Sequence, residues 1–136
     1  MWHTKIAKEI MDSSNPVSAP ACVISGGETT VKVNGEGLGG RNMEFAMQGS
    51  TLISGYQNVT LASVGTDGSD GPTDAAGALA DGMTLQRAID KGLDVNSFIE
   101  NNDSYNFFKE LSDLIITGPT NTNVMDVRII IVGNKT

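Results

Sequence analysis

Histidine and cysteine are almost absent from this chain, since its 136 residues include one of each, His3 and Cys22. One histidine beside the terminus excludes Cys/His zinc sites, Ser-His-Asp triads and histidine general bases. One cysteine excludes an intramolecular disulfide and indicates a reducing compartment, so we expect Cys22 to be a small buried thiol. Any chemistry must therefore rest on carboxylates, arginine, hydroxyls and backbone amides.

Positive charge, aromatic residues and long apolar runs are also scarce. Nine Lys+Arg residues stand against 16 Asp+Glu, and the net charge of -7 opposes binding to nucleic acid or to an anionic membrane surface. Aromatic residues make up only 5% of the chain, which leaves no platform for stacking bases. No apolar run reaches about 18 residues, and no signal-peptide core is present. We expect a soluble, cytoplasmic protein without nucleic-acid or membrane partners.

Glycine, by contrast, is abundant, and its 16 residues cluster in segments that predict loops. Between these segments, apolar periodicity predicts strands at 21–25, 29–33, 58–64, 114–117 and 127–132, and helices at 41–52, 83–91, 94–100 with Asp94 as its cap, and from 103 or 104 onward. The small, glycine-containing segment 75–82 suits either a strand, which is favoured, or the start of a close-packed helix. Apart from Thr117 and Arg128, the last two strands are apolar, which predicts central strands covered on both faces. We expect a single layered α/β domain with a mixed β-sheet packed by helices.

The beginning of the chain has helical spacing from its first residues, because Trp2, Ile6 and Ile10 lie four residues apart. This pattern predicts that residues 1–11 are the end of a helix that continues from a missing N-terminal region. Residues 12–20 are predicted to form a connector, and residues 12–136 are predicted to form the α/β domain.

The first glycine-rich loop, G-E-G-L-G-G at 35–40, is followed by Arg41 in the first turn of a predicted helix. Gly35-x-Gly37-x-x-Gly40 matches a dinucleotide fingerprint, but the preceding strand alternates and no acidic residue for a ribose follows about twenty residues later. A plain hairpin end is a second interpretation. The favoured one is an anion site, because helix N-terminal amides and a guanidinium both attract negative charge. A salt bridge from Arg41 to Glu44 is the structural alternative.

The second loop, G-T-D-G-S-D-G-P-T-D at 65–74, places Asp67, Asp70 and Asp74 close together. Such carboxylates repel one another unless a cation compensates, and Mg²⁺ carried in with a nucleotide would do so. A solvated turn, in which the Asp side chains cap local amides, is the alternative.

Two further polar segments, at 25–30 and 118–123, follow predicted strands and suit either binding of sugar or phosphate oxygens or plain turns. The chain has no P-loop, no kinase catalytic loop and no G-x-S-x-G motif. Of its Lys and Arg residues, only Arg41 lies in the glycine-rich segments. A site built from this chain alone is therefore short of positive charge for phosphoryl transfer.

Five motifs taken together resemble the MOFRL domain, the C-terminal domain of class II glycerate 2-kinases. In chain order they are C-V-I-S-G-G-E-T-T-V, G-L-G-G-R-N-M-E-F-A, G-T-D-G-S-D-G-P-T-D-A-A-G-A, N-N-D-S-Y-N-F-F and T-G-P-T-N-T-N-V-M-D. The resemblance runs from about Ile6 to Val132. The chain has Met43 where the family more often has Gln, and Asn121 where it has Gly.

The resemblance implies ATP-dependent phosphorylation of D-glycerate to 2-phosphoglycerate, with Mg²⁺, in a cleft shared with an N-terminal Rossmann-like domain that this chain lacks. It implies that Arg41 acts on the transferring phosphoryl group and that Asp67 supports substrate or metal. Asp70 and Asp74 would act through nucleotide-bound magnesium. The expected substrate or phosphate-binding residues are Gly39, Gly40, Asn42, Glu28, Thr29, Thr73 and Asn123.

The isolated chain is accordingly expected to be inactive, as half of a kinase active site. The alternative is a stand-alone module that binds a metabolite or mediates assembly without catalysis. Some family relatives carry the label hydroxypyruvate reductase, a chemistry to which the glycine fingerprint gives little support. Self-association of the chain is left open.

Overall fold

The computed structural model describes residues 1–136, which form five helices and five strands. The helices are α1 (Trp2–Ser13), α2 (Arg41–Leu52), α3 (Thr84–Asp90), α4 (Val95–Glu100) and α5 (Ser104–Leu111). The strands are β1 (Ala21–Gly26), β2 (Val59–Gly65), β3 (Gly77–Asp81), β4 (Leu114–Ile115) and β5 (Asp126–Val132). None of the helices combines the length and the apolar character needed to span a membrane.

The five strands form one sheet in the order β1-β5-β2-β3-β4. Every neighbouring pair is antiparallel, and the register places Ile130 opposite Val23 on one side and opposite Leu61 on the other. The single layered α/β domain is thus confirmed, but the sheet is antiparallel rather than mixed. The reason is that β5 returns from the end of the chain to lie between β1 and β2 in the opposite direction to both.

The hydrophobic core lies on one face of the sheet, where side chains of β2 and β5 alternate between buried and partly exposed. Helix α2 covers this face, and its Met43, Ala46 and Met47 are fully buried. Ala7 and Ile10 of α1 join the same cluster. The predicted continuation of α1 from an upstream region stays a prediction.

The other face of the sheet is open, because Ile24 is 68% and Ile131 53% exposed. The prediction of central strands covered on both faces is therefore wrong: β5 is central but half-covered, and β4 is a two-residue edge strand. Cys22 lies two residues before Ile24 in β1 and is exposed rather than buried. Its apolar neighbours in the sequence belong to a face that no helix of this chain covers.

The predicted strand at 29–33 is also wrong, because this segment has no regular secondary structure and pairs with no strand. Its continuation is held by side chains of the α4–α5 junction instead. Asn102 Oδ1 accepts hydrogen bonds from the amides of Asn34 at 2.7 Å and Gly35 at 3.1 Å, and Asp103 Oδ1 accepts one from Leu38 at 2.9 Å. Side-chain acceptors 65 residues or more away in the sequence thus replace the partner strand that the alternating pattern suggested.

Candidate active site

Arg41 begins α2, and its guanidinium is held by a carboxylate from the far end of the chain. Its Nε donates to Asp126 Oδ2 at 2.6 Å and its Nη2 donates to Asp126 Oδ1 at 2.9 Å. Nη2 also approaches Glu28 Oε1 at 3.4 Å. The salt bridges of Arg41 thus lie to Asp126 and Glu28 rather than to Glu44. The bidentate geometry fixes both the position and the plane of the guanidinium.

The pair with Arg41 also determines the protonation state of Asp126, which is 1% exposed. Burial alone would favour the protonated acid, but the hydrogen bonds and charge of Arg41 outweigh it and lower the pKa of Asp126. The hydrogen bond to Asp126 in turn raises the pKa of Arg41. Both groups are therefore ionised at neutral pH. Asp126 was not predicted as a site residue, since its only signal in the sequence is its place after a polar loop, at the start of a mostly apolar strand.

The N-terminus of α2 already holds an anion, and that anion is the carboxylate of Asp70. Asp70 Oδ1 accepts from the amide of Asn42 at 3.0 Å and from its Nδ2 at 3.2 Å, while Oδ2 accepts from the amide of Met43 at 2.8 Å. Asp70 is 2% exposed, and burial raises its pKa. The amides that the sequence predicted for a substrate anion are thus occupied by the second loop.

Asn42 extends this buried network, because its Oδ1 accepts from Ser63 Oγ at 2.7 Å. The polar atoms of Asn42 are thereby engaged within the chain. The two glycine-rich loops consequently form one packed unit, which links the start of α2 to the end of β2.

The glycines of the first loop are required for close packing. A Cβ at Gly35 would collide with the backbone of Asn101, and a Cβ at Gly39 would collide with Oγ of Ser104. A Cβ at Gly40 would collide with the Asp70 carboxyl group. These glycines bring the loop against the protein itself, so the dinucleotide interpretation has no support from the structure.

The three carboxylates of the second loop point to different partners. Asp67 Oδ1 accepts from the amide of Ser69 at 3.0 Å, whereas Asp74 Oδ1 accepts from the hydroxyl of Tyr105 at 2.8 Å. Asp70 binds the start of α2, as described above. No group of three or more His, Cys, Asp or Glu side chains in the structure is suited to hold a metal ion. As arranged, Asp70 and Asp74 do not fit a shared magnesium site, because their carboxylates bind the start of α2 and Tyr105.

Thr73 and Asn123 serve their own loops. Thr73 Oγ1 donates to the carbonyl of Asp70 at 2.8 Å, and Asn123 Oδ1 accepts from the amide of Met125 at 2.9 Å. Their predicted contacts with substrate stay predictions.

Arg41 lies on the wall of a cavity of about 730 Å³, which is lined by α1, the segment that follows β1, the first turns of α2, the end of α4 with the residues after it, and β5. The cavity brings together Arg41 and two more of the predicted site residues, Glu28 and Thr29. Gly39 and Gly40 line an adjoining cavity of about 220 Å³. Asp67, Thr73 and Asn123 line neither of the two.

The buried ionisable residues Arg128, Glu44 and His3 also line the cavity and were not predicted as site residues. Arg128 is 5% exposed, its Nη2 donates to the carbonyl of Gly27 at 2.5 Å, and its guanidinium lies 5.4 Å from the centre of the Phe45 ring. It forms no salt bridge. The signal available in the sequence was an arginine in an otherwise apolar strand.

Glu44 lies one turn after Arg41 on α2, is 4% exposed, and neither of its carboxylate oxygens has a hydrogen-bond partner. Burial raises the pKa of Glu44. The Nε2 atom of His3 lies 2.6 Å from Ser25 Oγ, and its ring stacks on Trp2 at 3.6 Å. Burial and the nearby charge of Arg128 lower the pKa of His3 to about 4. His3 is therefore neutral at physiological pH.

The fold and the site thus define a small α/β domain with two interlocked glycine-rich loops and a carboxylate-anchored arginine beside a cavity. A sequence profile described as MOFRL family matches residues 21–126, so the chain belongs to the MOFRL family. It is 48% identical to a D-glycerate 2-kinase of Thermotoga maritima, over 91% of this chain and 30% of that protein. A putative hydroxypyruvate reductase of Agrobacterium vitis is 44% identical, over 94% of this chain and 30% of that protein.

Solved structures give the same result. A glycerate kinase of Thermotoga maritima superimposes with a TM-score of 0.94 at 46% identity, over 96% of this chain and 32% of that one. A protein of Pyrococcus horikoshii gives 0.92 at 39% identity, over 98% of this chain and 31% of that one. The chain therefore spans about 30% of the length of the relatives that it matches.

Proposed function

We propose that this chain is the part of a glycerate 2-kinase that supplies Arg41 to the cleft in which ATP phosphorylates D-glycerate to 2-phosphoglycerate. The observation that carries the proposal is the bidentate pair of Arg41 with Asp126, in a domain whose relatives include glycerate kinases. An arginine fixed in this way stabilises developing negative charge without reorganising during the reaction. The alternative of a stand-alone binding module has no comparable observation in its favour.

The remaining donors of Arg41 suit this role. Its Nε and Nη2 are engaged by Asp126, whereas its Nη1 has no hydrogen bond within the chain. The side chain is 37% exposed, so Nη1 is accessible from the cleft side. Asp126 acts as a positioning residue because it orients Arg41 without touching the reacting group. We assign Nη1 to an oxygen of the transferring phosphoryl group.

The charge balance around Arg41 limits phosphoryl transfer by this chain alone. The charge of Arg41 is offset by Asp126 and Glu28, so little net positive charge is left for a phosphoryl group in transfer. Mg²⁺ supplied with the nucleotide neutralises phosphate oxygens when it is bound. The rest of the required charge must come from a partner domain, which the family resemblance identifies as Rossmann-like. We therefore expect the chain to be inactive alone.

The test is a chimera in which this chain replaces the matching 30% of the Thermotoga maritima D-glycerate 2-kinase. We expect ADP release that depends on both D-glycerate and Mg-ATP, whereas the chain by itself releases none. The matched relative provides the positive control. A folded chimera without activity, or an active isolated chain, would contradict the proposal.

A further inference from the structure

Arg128 is a buried charge without an acidic partner. It is 5% exposed, and its one hydrogen bond goes to the carbonyl of Gly27. The salt bridges of the structure involve the two arginines Arg41 and Arg87 and none involves Arg128. Burying an unpaired guanidinium is costly unless a counter-charge is present part of the time. Because no carboxylate of the chain pairs with Arg128, its guanidinium can take an anionic ligand as counter-charge without breaking a salt bridge.

The guanidinium of Arg128 has donors left for such a ligand. Its Nη2 is bound to Gly27, and its Nε is buried with no partner at all. Its Nη1 makes no hydrogen bond either, and it is not among the fully buried atoms. Because Arg128 lines the 730 Å³ cavity, this Nη1 is the donor that a molecule in the cavity can reach.

No acidic residue in or beside the cavity forms a salt bridge to Arg128. Glu100 lines the cavity from an exposed position, and the charge of Arg128 contributes to the lowered pKa of Asp126 without a hydrogen bond between them. Glu28 pairs with Arg41 instead, and Asp126 beside the cavity has both oxygens on the same guanidinium. Glu44 has no hydrogen bond to any cation, and burial holds it toward its uncharged form. Lys32 also lines the cavity, but its side chain is exposed to solvent. Arg128 is therefore the buried cation of the cavity that has no acidic hydrogen-bond partner.

One unpaired arginine matches a monoanion better than a phosphoryl group, which carries about two charges at neutral pH. A carboxylate also fits the planar donor arrangement of a guanidinium. In a 2-hydroxy acid the carboxylate is one bond from the carbon that bears the reacting hydroxyl. A carboxylate held in the cavity that Arg41 also lines would thus place the hydroxyl near Arg41.

We propose that Arg128 binds the carboxylate of the acid substrate, so that this cavity is the acceptor half of the cleft and the nucleotide lies on the other side of Arg41. The identity of the acid rests on the proposed kinase function. The binding of a small carboxylate by this chain does not, since it follows from the unpaired guanidinium.

In the first test, the isotope-labelled chain is titrated with D-glycerate, glycerol and inorganic phosphate. The NMR signals of its backbone amides and of Arg128 Nε–H report binding. Glycerol has the same carbon skeleton without the carboxylate. We expect D-glycerate to shift signals of Arg128 and Phe45, and glycerol to leave them unchanged at the same concentration. Arg128→Gln should weaken glycerate binding about tenfold or more, as loss of a charged hydrogen bond does. Arg87→Gln, at an arginine outside the cavity, should leave binding unchanged.

Three results would overturn the proposal: no binding of D-glycerate, equal binding of glycerol, or tighter binding of phosphate than of D-glycerate. If Arg128→Gln fails to fold, the Arg128 Nε–H signal of the unmodified chain provides the test, because a ligand bound to this guanidinium must shift that signal. In the chimera, Arg128→Lys should raise the KM for D-glycerate at least tenfold with little change in the KM for ATP. An active chimera whose KM for D-glycerate is unchanged by Arg128→Lys would contradict the role of Arg128 but not the kinase proposal. An inactive chimera would contradict the kinase proposal, and the titration would then test the role of Arg128.

Discussion

Removal of the Asp70 carboxylate is expected to destabilise the domain more than removal of any exposed acidic residue. Asp70→Ala orphans the amides of Asn42 and Met43, which are hydrogen-bonded to it and lie in the buried first turn of α2. Each orphaned amide costs about 1–3 kcal/mol, and the lost charge at the helix N-terminus adds about 0.3–1 kcal/mol. Burial of the carboxylate is itself unfavourable, as its raised pKa indicates, so we take the lower half of this range. The expected loss is roughly 2–4 kcal/mol.

The measurement is the free energy of unfolding from denaturant titrations of the unmodified chain, Asp70→Ala and Asp90→Ala. Asp90 is an exposed carboxylate on α3 that accepts one hydrogen bond from Gln86, so its loss should stay within about 0.5 kcal/mol. The loss of stability for Asp70→Asn should fall between those of Asp70→Ala and Asp90→Ala, because one side-chain oxygen remains an acceptor while the amide nitrogen faces a donor. A loss below about 1 kcal/mol for Asp70→Ala would refute the view that the second loop caps α2.

Three further predictions concern the site and the open sheet face. Asp126→Asn should lower kcat of the chimera by roughly 10²-fold with a small effect on KM, because Arg41 loses its orientation; unchanged kcat would exclude the positioning role. His3 has a pKa lowered to about 4 in the folded state, so the unfolded chain binds the proton more readily. The contribution of neutral His3 to stability is therefore fully present above about pH 6.5 and is lost as pH falls toward 4. His3→Gln should therefore shrink the stability difference between pH 7.5 and pH 5, measured by denaturant titration; an unchanged difference would contradict the shift. Cys22 is exposed and should react with a thiol reagent in the folded chain at a rate close to that of the unfolded chain, and protection would contradict the open face.

The sequence was a good guide wherever local pattern decides structure. The helix at 41–52, the strand at 21–25 and the cap of α4 by Asp94 are confirmed, because spacing, glycine positions and capping act over a few residues. The strand of the small, glycine-containing segment is confirmed as β3 for the same reason.

Distant contacts account for what could not be predicted. The alternating segment 29–33 lies in a loop, and side chains of Asn102 and Asp103 bind the residues that follow it. No pattern within the segment predicts these contacts. The mostly apolar sequence of β5 suggested two covered faces, yet Ile131 is 53% exposed because no helix of this chain lies against that face.

The candidate site shows the same division. Arg41 and both glycine-rich loops could be recognised from local chemistry, including the conflict between a cation and the positive end of a helix. The partners that give Arg41 its geometry could not, since Asp126 lies 85 residues away in the sequence. The predicted anion at the start of α2 is a carboxylate of the protein itself, because Asp70 reaches it from the neighbouring loop.

The most direct test of the central claim is the turnover of the chimera with Arg41→Ala, beside Arg87→Ala as an arginine that pairs with Asp113 outside the cavity. The account predicts that Arg41→Ala lowers kcat about 10³-fold or more, with much smaller changes in KM, while Arg87→Ala retains kcat within a few-fold in the folded protein. A folded Arg41→Ala chimera with unchanged kcat would show that Arg41 does not act on the transferring phosphoryl group.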